Sequence, residues 1–426
     1  MKRKLMLVLS ILFLAACVPS VPGADGTATL NALNTAASQT AAVLLPPTSS
    51  VPTPTTTVPP LPLPSDIATL SAQLPQGQAQ FLAYIRDGHL LVTDVTNGVQ
   101  GGTTQYTQAG VDDQVTDLVW SPSGEFIAFV SVATGTPHIF YVFALGQSTP
   151  TDLGPGSTPA WSPDSTSIAF IGGAFPDDNI SVTTIESPSP RQLTFESNYA
   201  WGRPAFTPDG SSLIVAGADR NNMGAQGNTS FVLETLALDG SGTHAPLPGA
   251  TPLDGARLPY DLLFSPDGTK LAFSTSFHLS ACASPGAYYV SNADGSNRQE
   301  LVSPSLQAAI DTNQEHYHVG LSYAWSPASD GIVALGNVVD CNLNSPNPGQ
   351  VIAGPQMSTI GLDGNEGLVI PGFFYGISMD RSGTLIAASR HEDGFQDLTP
   401  NVEIFSAQTG QLVLSLGPGS SPQFQP

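Results

Sequence analysis

The sequence predicts an all-β protein, a β-propeller of seven blades with six as the alternative, preceded by a disordered tether. Two observations predict this fold. A short hairpin signature recurs six times, at intervals of 41 to 61 residues, and further strands follow each copy. The chain also has 42 Gly and 38 Pro but only 11% charged residues. This composition is typical of short strands joined by many turns rather than of long helices.

The clearest copy of the signature is Phe264-Ser-Pro-Asp-Gly-Thr-Lys-Leu-Ala-Phe273. Its Ser-Pro-Asp-Gly core favours a type I turn, because Pro fixes φ at the second position and Gly closes the turn. An aromatic residue ends the strand before the turn and an apolar strand begins after it, so each copy predicts a β-hairpin. The other copies begin at Trp120, Trp161, Phe206, Trp325 and Met379, and the last two are degraded.

Two further strands are predicted after each hairpin, such as 139–143 and 149–153. Four strands recurring at this interval match one propeller blade. The turn followed by an Ile-Ala-Phe strand, as at 127–129, resembles the WD40-like repeat of TolB-type propellers. The resemblance covers roughly residues 78–426 and implies a β-propeller. TolB carries a separate α/β domain ahead of its propeller, whereas this chain has only the tether there.

The two ends of the repeat region complement each other. Phe81-Leu-Ala-Tyr84 looks like a second strand that lacks its own first strand and turn, and Ser421-Pro-Gln-Phe-Gln-Pro426 parallels Thr158-Pro-Ala-Trp-Ser-Pro163. We therefore expect the C-terminus to supply the inner strand of the blade that the N-terminal part begins. Six internal units and this shared one give seven blades, and such closure removes free sheet edges.

The first residues predict export from the cytoplasm. Met1-Lys-Arg-Lys4 is followed by the apolar run 5–16, which is typical of a signal peptide. The run is shorter than the roughly 20 residues that a membrane-spanning helix needs. It ends in Leu14-Ala-Ala-Cys17, which resembles the lipobox of bacterial lipoproteins. The resemblance implies removal of residues 1–16 and lipidation of Cys17; an ordinary signal peptide is the alternative.

Residues 17–77 predict a tether. The stretch 51–60 is rich in Pro and Thr and carries no charge, so it cannot bury enough apolar surface to fold. Its prolines favour an extended chain, which could hold the propeller on the order of 100 Å from the membrane. The predicted location is extracytoplasmic, on the bacterial envelope through the lipid anchor alone, with inner and outer membrane both left open.

Charge and cysteine content narrow the function. The net charge is −22, from 34 acidic and 12 basic residues, which excludes binding to nucleic acid and docking of a basic patch on anionic lipid. With Cys17 lipidated, Cys282 and Cys341 remain in an oxidising compartment, where we expect them to form a disulfide. Both fall in second-to-third-strand loops of the fifth and sixth blades.

One face of the propeller is predicted to carry the binding site. The Pro-Asp-Gly turns are uniformly short, whereas the loops on the opposite face vary in length, and variable loops on a rigid scaffold usually bind ligands. These insertions are 217–230, 275–286, 302–322, 338–350 and 389–400. The candidate ligand or metal residues on that face are His278, Glu315, His316, His318, His391, Glu392 and Asp393. An extended strand would place His316 and His318 on one side; scattered surface histidines are the alternative.

No catalytic motif is apparent. The sequence lacks Gly-x-Ser-x-Gly and Gly-rich phosphate-binding motifs, and no cofactor is expected. The leading prediction is a monomeric, non-enzymatic binding or scaffold module for an envelope protein partner. The first alternative is a carbohydrate or cell-wall binder, favoured by the aromatic side chains Tyr288, Tyr289, Tyr317 and Tyr323. The second is a metal-dependent sugar-cleaving enzyme, because some TolB-like propellers are lyases.

Overall fold

The computed structural model describes residues 79–426 except 108–113, 133–134, 145, 147–148, 174–177, 225–226, 278–285, 313–315, 347 and 393–398. The signal peptide, Cys17 and the tether lie outside the described residues. Seven four-stranded antiparallel sheets form a β-propeller. The prediction of seven blades is thereby confirmed, and the six-bladed alternative is wrong.

The strands of the first four blades follow the chain, apart from one C-terminal strand in blade 1. Blade 1 contains β1 (Phe81–Arg86), β2 (His89–Asp94), β3 (Thr103–Gln105) and β32 (Ser420–Phe424). Blade 2 contains β4 (Val115–Trp120), β5 (Phe126–Ser131), β6 (His138–Phe143) and β7 (Thr151–Pro155). Blade 3 contains β8 (Ser157–Trp161), β9 (Ser167–Gly172), β10 (Asn179–Thr184) and β11 (Arg191–Gln192). Blade 4 contains β13 (Ala205–Phe206), β14 (Ser212–Val215), β17 (Glu234–Ala237) and β18 (His244–Pro246).

The last three blades have the longest strands, and short elements decorate the connections. Blade 5 contains β20 (Asp261–Phe264), β21 (Lys270–Ser276), β22 (Gly286–Asn292) and β23 (Gln299–Leu301). Blade 6 contains β24 (His316–Trp325), β25 (Gly331–Asp340), β26 (Val351–Gly361) and β27 (Glu366–Pro371). Blade 7 contains β28 (Phe373–Met379), β29 (Leu385–His391), β30 (Asn401–Ser406) and β31 (Leu412–Pro418). Two small sheets pair β12 (Tyr199–Trp201) with β15 (Gly217–Asp219) and β16 (Thr229–Phe231) with β19 (Leu253–Ala256). Among the residues that the structure describes, the helical elements are α1 (Pro304–Ile310) and single 3-10 turns at Thr96–Gly98 and Arg220–Asn222.

The turn signature folds as its chemistry predicts. In blade 5 the Gly268 N–H donates to the Ser265 carbonyl at 2.8 Å, and Gly268 has φ 71°, a conformation that favours glycine. A Cβ at this position would lie 2.9 Å from Pro208 in the preceding turn. In blade 6 Ser329 takes the glycine's place at φ 61°, and its Oγ accepts a hydrogen bond from the Asp267 N–H at 3.1 Å. The turns therefore stack on one another from blade to blade.

Where the residue before the turn is a tryptophan, its indole links neighbouring blades. Trp161 Nε1 donates to the Val119 carbonyl, and Trp325 Nε1 donates to the Leu263 carbonyl, both at 3.1 Å. Each acceptor lies in the first strand of the preceding blade. The indole thus satisfies its N–H inside a packed blade interface, which a buried Trp requires.

The C-terminal strand completes the first blade. Strand β32 pairs with β1 in an antiparallel register. Trp120 Nε1 of blade 2 donates to the Gln423 carbonyl at 2.9 Å, and Arg86 Nε donates to the Pro418 carbonyl at 2.6 Å. These bonds join the two ends of the ring without a covalent link.

The core consists of apolar wedges between adjacent blades. One wedge combines Tyr288 and Val290 of blade 5 with Tyr323, Trp325 and Ile332 of blade 6, all of them buried. Because β-branched and aromatic side chains alternate on both sides of each strand, every blade contributes to the wedge on either side of it. Within the part of the chain that the structure describes, no helix is long and apolar enough to cross a membrane.

Candidate functional site

The propeller has two faces that differ in their connections. The turn face carries the first-to-second-strand connections, which contain five residues in each of blades 2 to 7. The opposite face, the insertion face, carries the second-to-third-strand loops and the connections between blades. These range from a single residue, such as 156 or 372, to the fourteen residues 302–315 between blades 5 and 6 and the eighteen residues 216–233 within blade 4. The length variation therefore lies on the insertion face.

The longest connection between blades forms part of a cavity. The cavity has a volume of about 660 Å³ and lies between β23, helix α1 and the first residues of β24. It is lined by Glu300, Val302, Gln307, Ile310, Asp311, His316, Tyr317 and His318. This volume is within the range of small-ligand pockets. A second cavity, of about 340 Å³, lies on the turn face between blades 3 and 4.

Helix α1 is fixed to blade 6 at its N-terminus. The carboxylate of Glu366 accepts hydrogen bonds from the Ser305 N–H at 3.0 Å and the Ser305 hydroxyl at 2.9 Å. Gln356 Nε2 donates to Ser303 Oγ at 3.1 Å, and Leu306 is buried beneath the helix. Burial acts to raise the pKa of Glu366, but the hydrogen bonds from the serines outweigh it and lower the pKa. A carboxylate at this end also complements the helix dipole.

His318 lines the cavity from β24 and is only 7% exposed. Burial lowers the pKa of His318 to about 4, and a hydrogen bond with the Gly286 backbone opposes this only in part. The imidazole is therefore neutral near pH 7. Its ring meets Tyr288 edge to face at 5.7 Å between centroids. In the described part of the chain, Nδ1 has no hydrogen-bond partner.

The remaining polar groups of the cavity are mostly engaged among themselves. His316 Nδ1 donates to the Ala309 carbonyl at 2.9 Å, which leaves Nε2 of the neutral ring as an acceptor. Gln307 Nε2 donates to Asp311 Oδ1 at 2.8 Å. Glu300 is exposed at the edge of the cavity, where partial desolvation raises the pKa of its carboxyl. The described lining residues are therefore rich in hydrogen-bond acceptors and include no Lys or Arg.

The structure brings together two of the predicted ligand residues, because His316 and His318 line the same cavity. His391 lies at the end of β29 in blade 7, with its ring edge to face against Tyr375 at 5.2 Å, and Glu392 is exposed. Among the described residues, no group of three or more His, Cys, Asp or Glu could hold a metal ion. The predicted residues outside the described ranges are His278, Glu315, Asp393, Cys17 and Cys282. The metal site stays a prediction.

Cys341 directly follows β25 and is 4% exposed. It belongs to a small apolar cluster with Val339. Its predicted partner, Cys282, lies outside the described residues, so the disulfide between them stays a prediction.

Three of the four tyrosines predicted to form a carbohydrate-binding surface are buried instead. Tyr288, Tyr289 and Tyr323 are between 2% and 9% exposed, and Tyr323 donates its hydroxyl proton to the Ala272 carbonyl at 2.9 Å. They pack in the wedges beside blade 5, so that prediction is wrong for them. Tyr317 is half-buried and lines the cavity.

A second polar cluster, which the sequence interpretation missed, lies at the inner edge of the ring. The Arg203 guanidinium, on the segment leading into blade 4, pairs with Asp117 of blade 2. Because this ion pair passes across blade 3, it must lie near the axis of the propeller. Burial acts to lower the pKa of Arg203, but Asp117 and Asp261 outweigh it and raise the pKa. Burial raises the pKa of Asp261, and Arg203 opposes this.

The signal for this cluster is present in the repeat. Asp117, Arg203 and Asp261 each stand three residues before the aromatic that ends the first strand. Repeats place equivalent positions at equivalent distances from the axis, so charges recurring at one position predict an inner cluster.

Comparison of the structure finds many proteins with a similar fold. No family model matches the sequence, and no curated protein does either. One similar structure is TolB from Acinetobacter baumannii, at 15% identity over 85% of this chain and 71% of that chain, with a TM-score of 0.45. Another is a putative TolB from Agrobacterium tumefaciens, at 15% identity over 81% and 91% of the two chains, with a TM-score of 0.41. An oligogalacturonate lyase from Vibrio parahaemolyticus has 10% identity over 80% and 85%, with a TM-score of 0.51.

At this level of identity the likeness to the lyase concerns the fold alone. The propeller architecture itself follows from the seven four-stranded sheets. The seven blades confirm the β-propeller that the WD40-like repeat predicts.

Proposed function

We propose that this protein is a non-enzymatic lipoprotein of the bacterial cell envelope whose propeller binds a protein partner through the insertion face. The observation that carries the proposal is that the long connections, helix α1 and the 660 Å³ cavity all lie on one face of an otherwise uniform ring. Binding residues concentrate on loops that a rigid scaffold positions. Fold alone does not specify function, so the proposal depends on this asymmetry.

The location follows from the sequence. Lipid on Cys17 anchors the chain, and residues 17–77 give the propeller reach from the membrane surface. The burial of Cys341 beside the insertion face supports a disulfide with Cys282 that would restrain two adjacent loops. We propose that the protein acts as a monomer and contacts the membrane only through its lipid.

Charge indicates the kind of partner. With a net charge of −22, the propeller repels other acidic surfaces and attracts basic ones, which accelerates association with a basic partner. A partner that presents a basic surface is therefore the best match.

The test is affinity capture of the full-length lipidated protein from crosslinked native membranes, with partners identified by mass spectrometry. We expect one protein near equal stoichiometry. Charge reversal on the insertion face, in D311K and E392K, should abolish its recovery. The matched control is E186K, since Glu186 is exposed on the turn face of blade 3.

Recovery of the bait alone would overturn the proposal, and so would a partner that both insertion-face variants retain. Recovery of glycan or cell-wall fragments in place of a protein would favour the carbohydrate alternative.

A further inference from the structure

The cavity beside helix α1 has an unusual balance of hydrogen-bonding groups. Its lining presents the carboxylates of Glu300 and Asp311 and the imidazole of His318, and no Lys or Arg is among the lining residues. The lining amide of Gln307 donates one hydrogen bond to Asp311. Acceptor groups therefore predominate among the described residues of the lining. A ligand that suits it must be rich in donors.

His318 adds an independent observation. It is 93% buried, and within the described residues its Nδ1 has no partner. The other ring nitrogen is occupied by the hydrogen bond with Gly286 that favours the protonated ring. A neutral imidazole carries its proton on one nitrogen and a lone pair on the other. A buried acceptor without a donor is rare in folded proteins, so this position is suited to an N–H or O–H from a bound group.

The charge of the lining residues determines which kind of donor-rich ligand fits the cavity. Desolvation raises the pKa of Glu300, and no cation is among the described residues that line the cavity. Two carboxylates without a counterion disfavour an anionic ligand and favour a cation. Val302, Ile310 and Tyr317 supply the apolar part of the wall, which would pack against the methylene stem of a long basic side chain.

We infer that this cavity binds an arginine side chain of the protein partner. The guanidinium group carries five N–H donors in a planar fork and stays charged, so it can bond to Glu300, Asp311 and His318 at the same time. The Tyr317 ring can pack against its planar face. Lysine carries its three donors on a single point charge, so it cannot form bidentate bonds with the carboxylates as the planar guanidinium can. The inference rests on the proposed function, because it names the group by which the partner is held.

The direct test uses N-acetyl-arginine methylamide as the probe and the full mature chain as the protein, with binding followed by ligand-observed NMR. We expect a dissociation constant in the millimolar range. The citrulline analogue has the same shape without the charge and should bind roughly tenfold more weakly. The variants E300Q and D311N should each weaken the arginine probe by roughly fivefold or more. The variant E186Q removes the same charge outside the cavity and should bind as the wild type does.

Equal binding of the arginine and citrulline probes, or equal loss in E300Q and E186Q, would overturn the inference and indicate non-specific attraction to an acidic protein. Absence of binding would overturn it as well. A second arm separates the two proposals: membrane capture is repeated with E300Q. A partner that E300Q still retains, but E392K loses, leaves the proposed function standing and removes the arginine pocket. Binding of the probe without any captured partner removes the proposed function and leaves a pocket for a free guanidinium compound.

Discussion

Acidification should destabilise the protein through His318 in a pH range where carboxylates with lowered pKa values do not yet titrate. Burial lowers the pKa of His318 from 6.5 to about 4. Below pH 6.5 the unfolded chain therefore binds a proton that the folded protein rejects, and stability falls as the pH approaches 4. One pKa unit corresponds to about 1.4 kcal/mol. The expected loss is about 1.4 kcal/mol at pH 5.5 and about 2.5 kcal/mol at pH 4.5.

The perturbation that isolates this effect is H318Q, which removes the titrating group but keeps a polar side chain. At pH 7.5 the variant should be less stable than the wild type by about 1–3 kcal/mol, because it loses the ring contact with Tyr288 and the hydrogen bond with Gly286. Between pH 7.5 and 4.5 this difference should shrink by about 2.5 kcal/mol, since only the wild type pays the protonation penalty. All other ionisable groups are the same in the two proteins, so their contributions cancel in the comparison.

The assay is urea unfolding of both proteins at pH 7.5, 6.5, 5.5 and 4.5, followed by tryptophan fluorescence and fitted by linear extrapolation. The matched control is H138Q, which removes a partly exposed histidine of blade 2 that pairs with Asp152. It should not reproduce the narrowing. A difference between wild type and H318Q that stays constant across the four pH values would show that His318 is not a buried neutral imidazole. The acceptor assigned to its Nδ1 would then have no basis.

Three further predictions concern the ring. Deletion of 416–426 removes β32 and the buried Phe424 side chain, which should cost more than about 5 kcal/mol and lower the melting temperature by roughly 10 °C or more; an unchanged melting temperature would refute closure by this strand. The variant W325F loses the indole hydrogen bond to the preceding blade. It should lower the free energy of unfolding by about 1 kcal/mol more than W201F does, because the Trp201 indole N–H has no partner in the described part of the chain. Equal losses for the two variants in urea unfolding would contradict this. The variant R203M leaves the inner carboxylates without their cation and should lower the free energy of unfolding by about 3–5 kcal/mol at pH 7. Adding D117N to the same chain should restore part of this loss. A loss below about 1 kcal/mol would show that the cluster is solvated.

The propeller could be predicted from the sequence because its determinants are local and repeated. Pro at the second turn position in five of the six copies, and Gly or Ser at the fourth position in all six, fix the hairpins within five residues, as at Ser265–Thr269. Six such copies leave little freedom for the overall architecture. Helix α1 was not predicted, although Ser303 before Pro304 is a recognisable helix start. A helix of seven residues, about two turns, gives too weak a periodicity to stand out from a loop.

The sequence predicts that the candidate site lies on the insertion face, but it does not identify which residues line the cavity. The loop predicted over residues 302–322 spans only 302–315, because β24 begins at His316 and extends for ten residues. That extension turns His318 from a loop residue into a buried one, and Tyr323 fills the wedge between blades 5 and 6. Neither outcome is encoded in residue type. A tyrosine beside a variable loop could equally bind a ligand or pack in the core. Which of the two it does depends on how far the strand extends.

The inner charge cluster shows how a repeat protein can fix the arrangement of its blades. Equivalent positions in seven repeats converge near the axis, and identical apolar residues there would not distinguish one blade from another. Arg203 pairs with Asp117 two blades away and lies close to Asp261 in the next blade. A buried charge is tolerated only where its partner is present, so a blade packed in the wrong order would leave two carboxylates and a guanidinium unpaired. We therefore expect the cluster to contribute more to a unique blade order than to net stability. The single variant R203M should then lower the free energy of unfolding strongly. Replacing all three residues together by neutral ones of similar size should lower it far less.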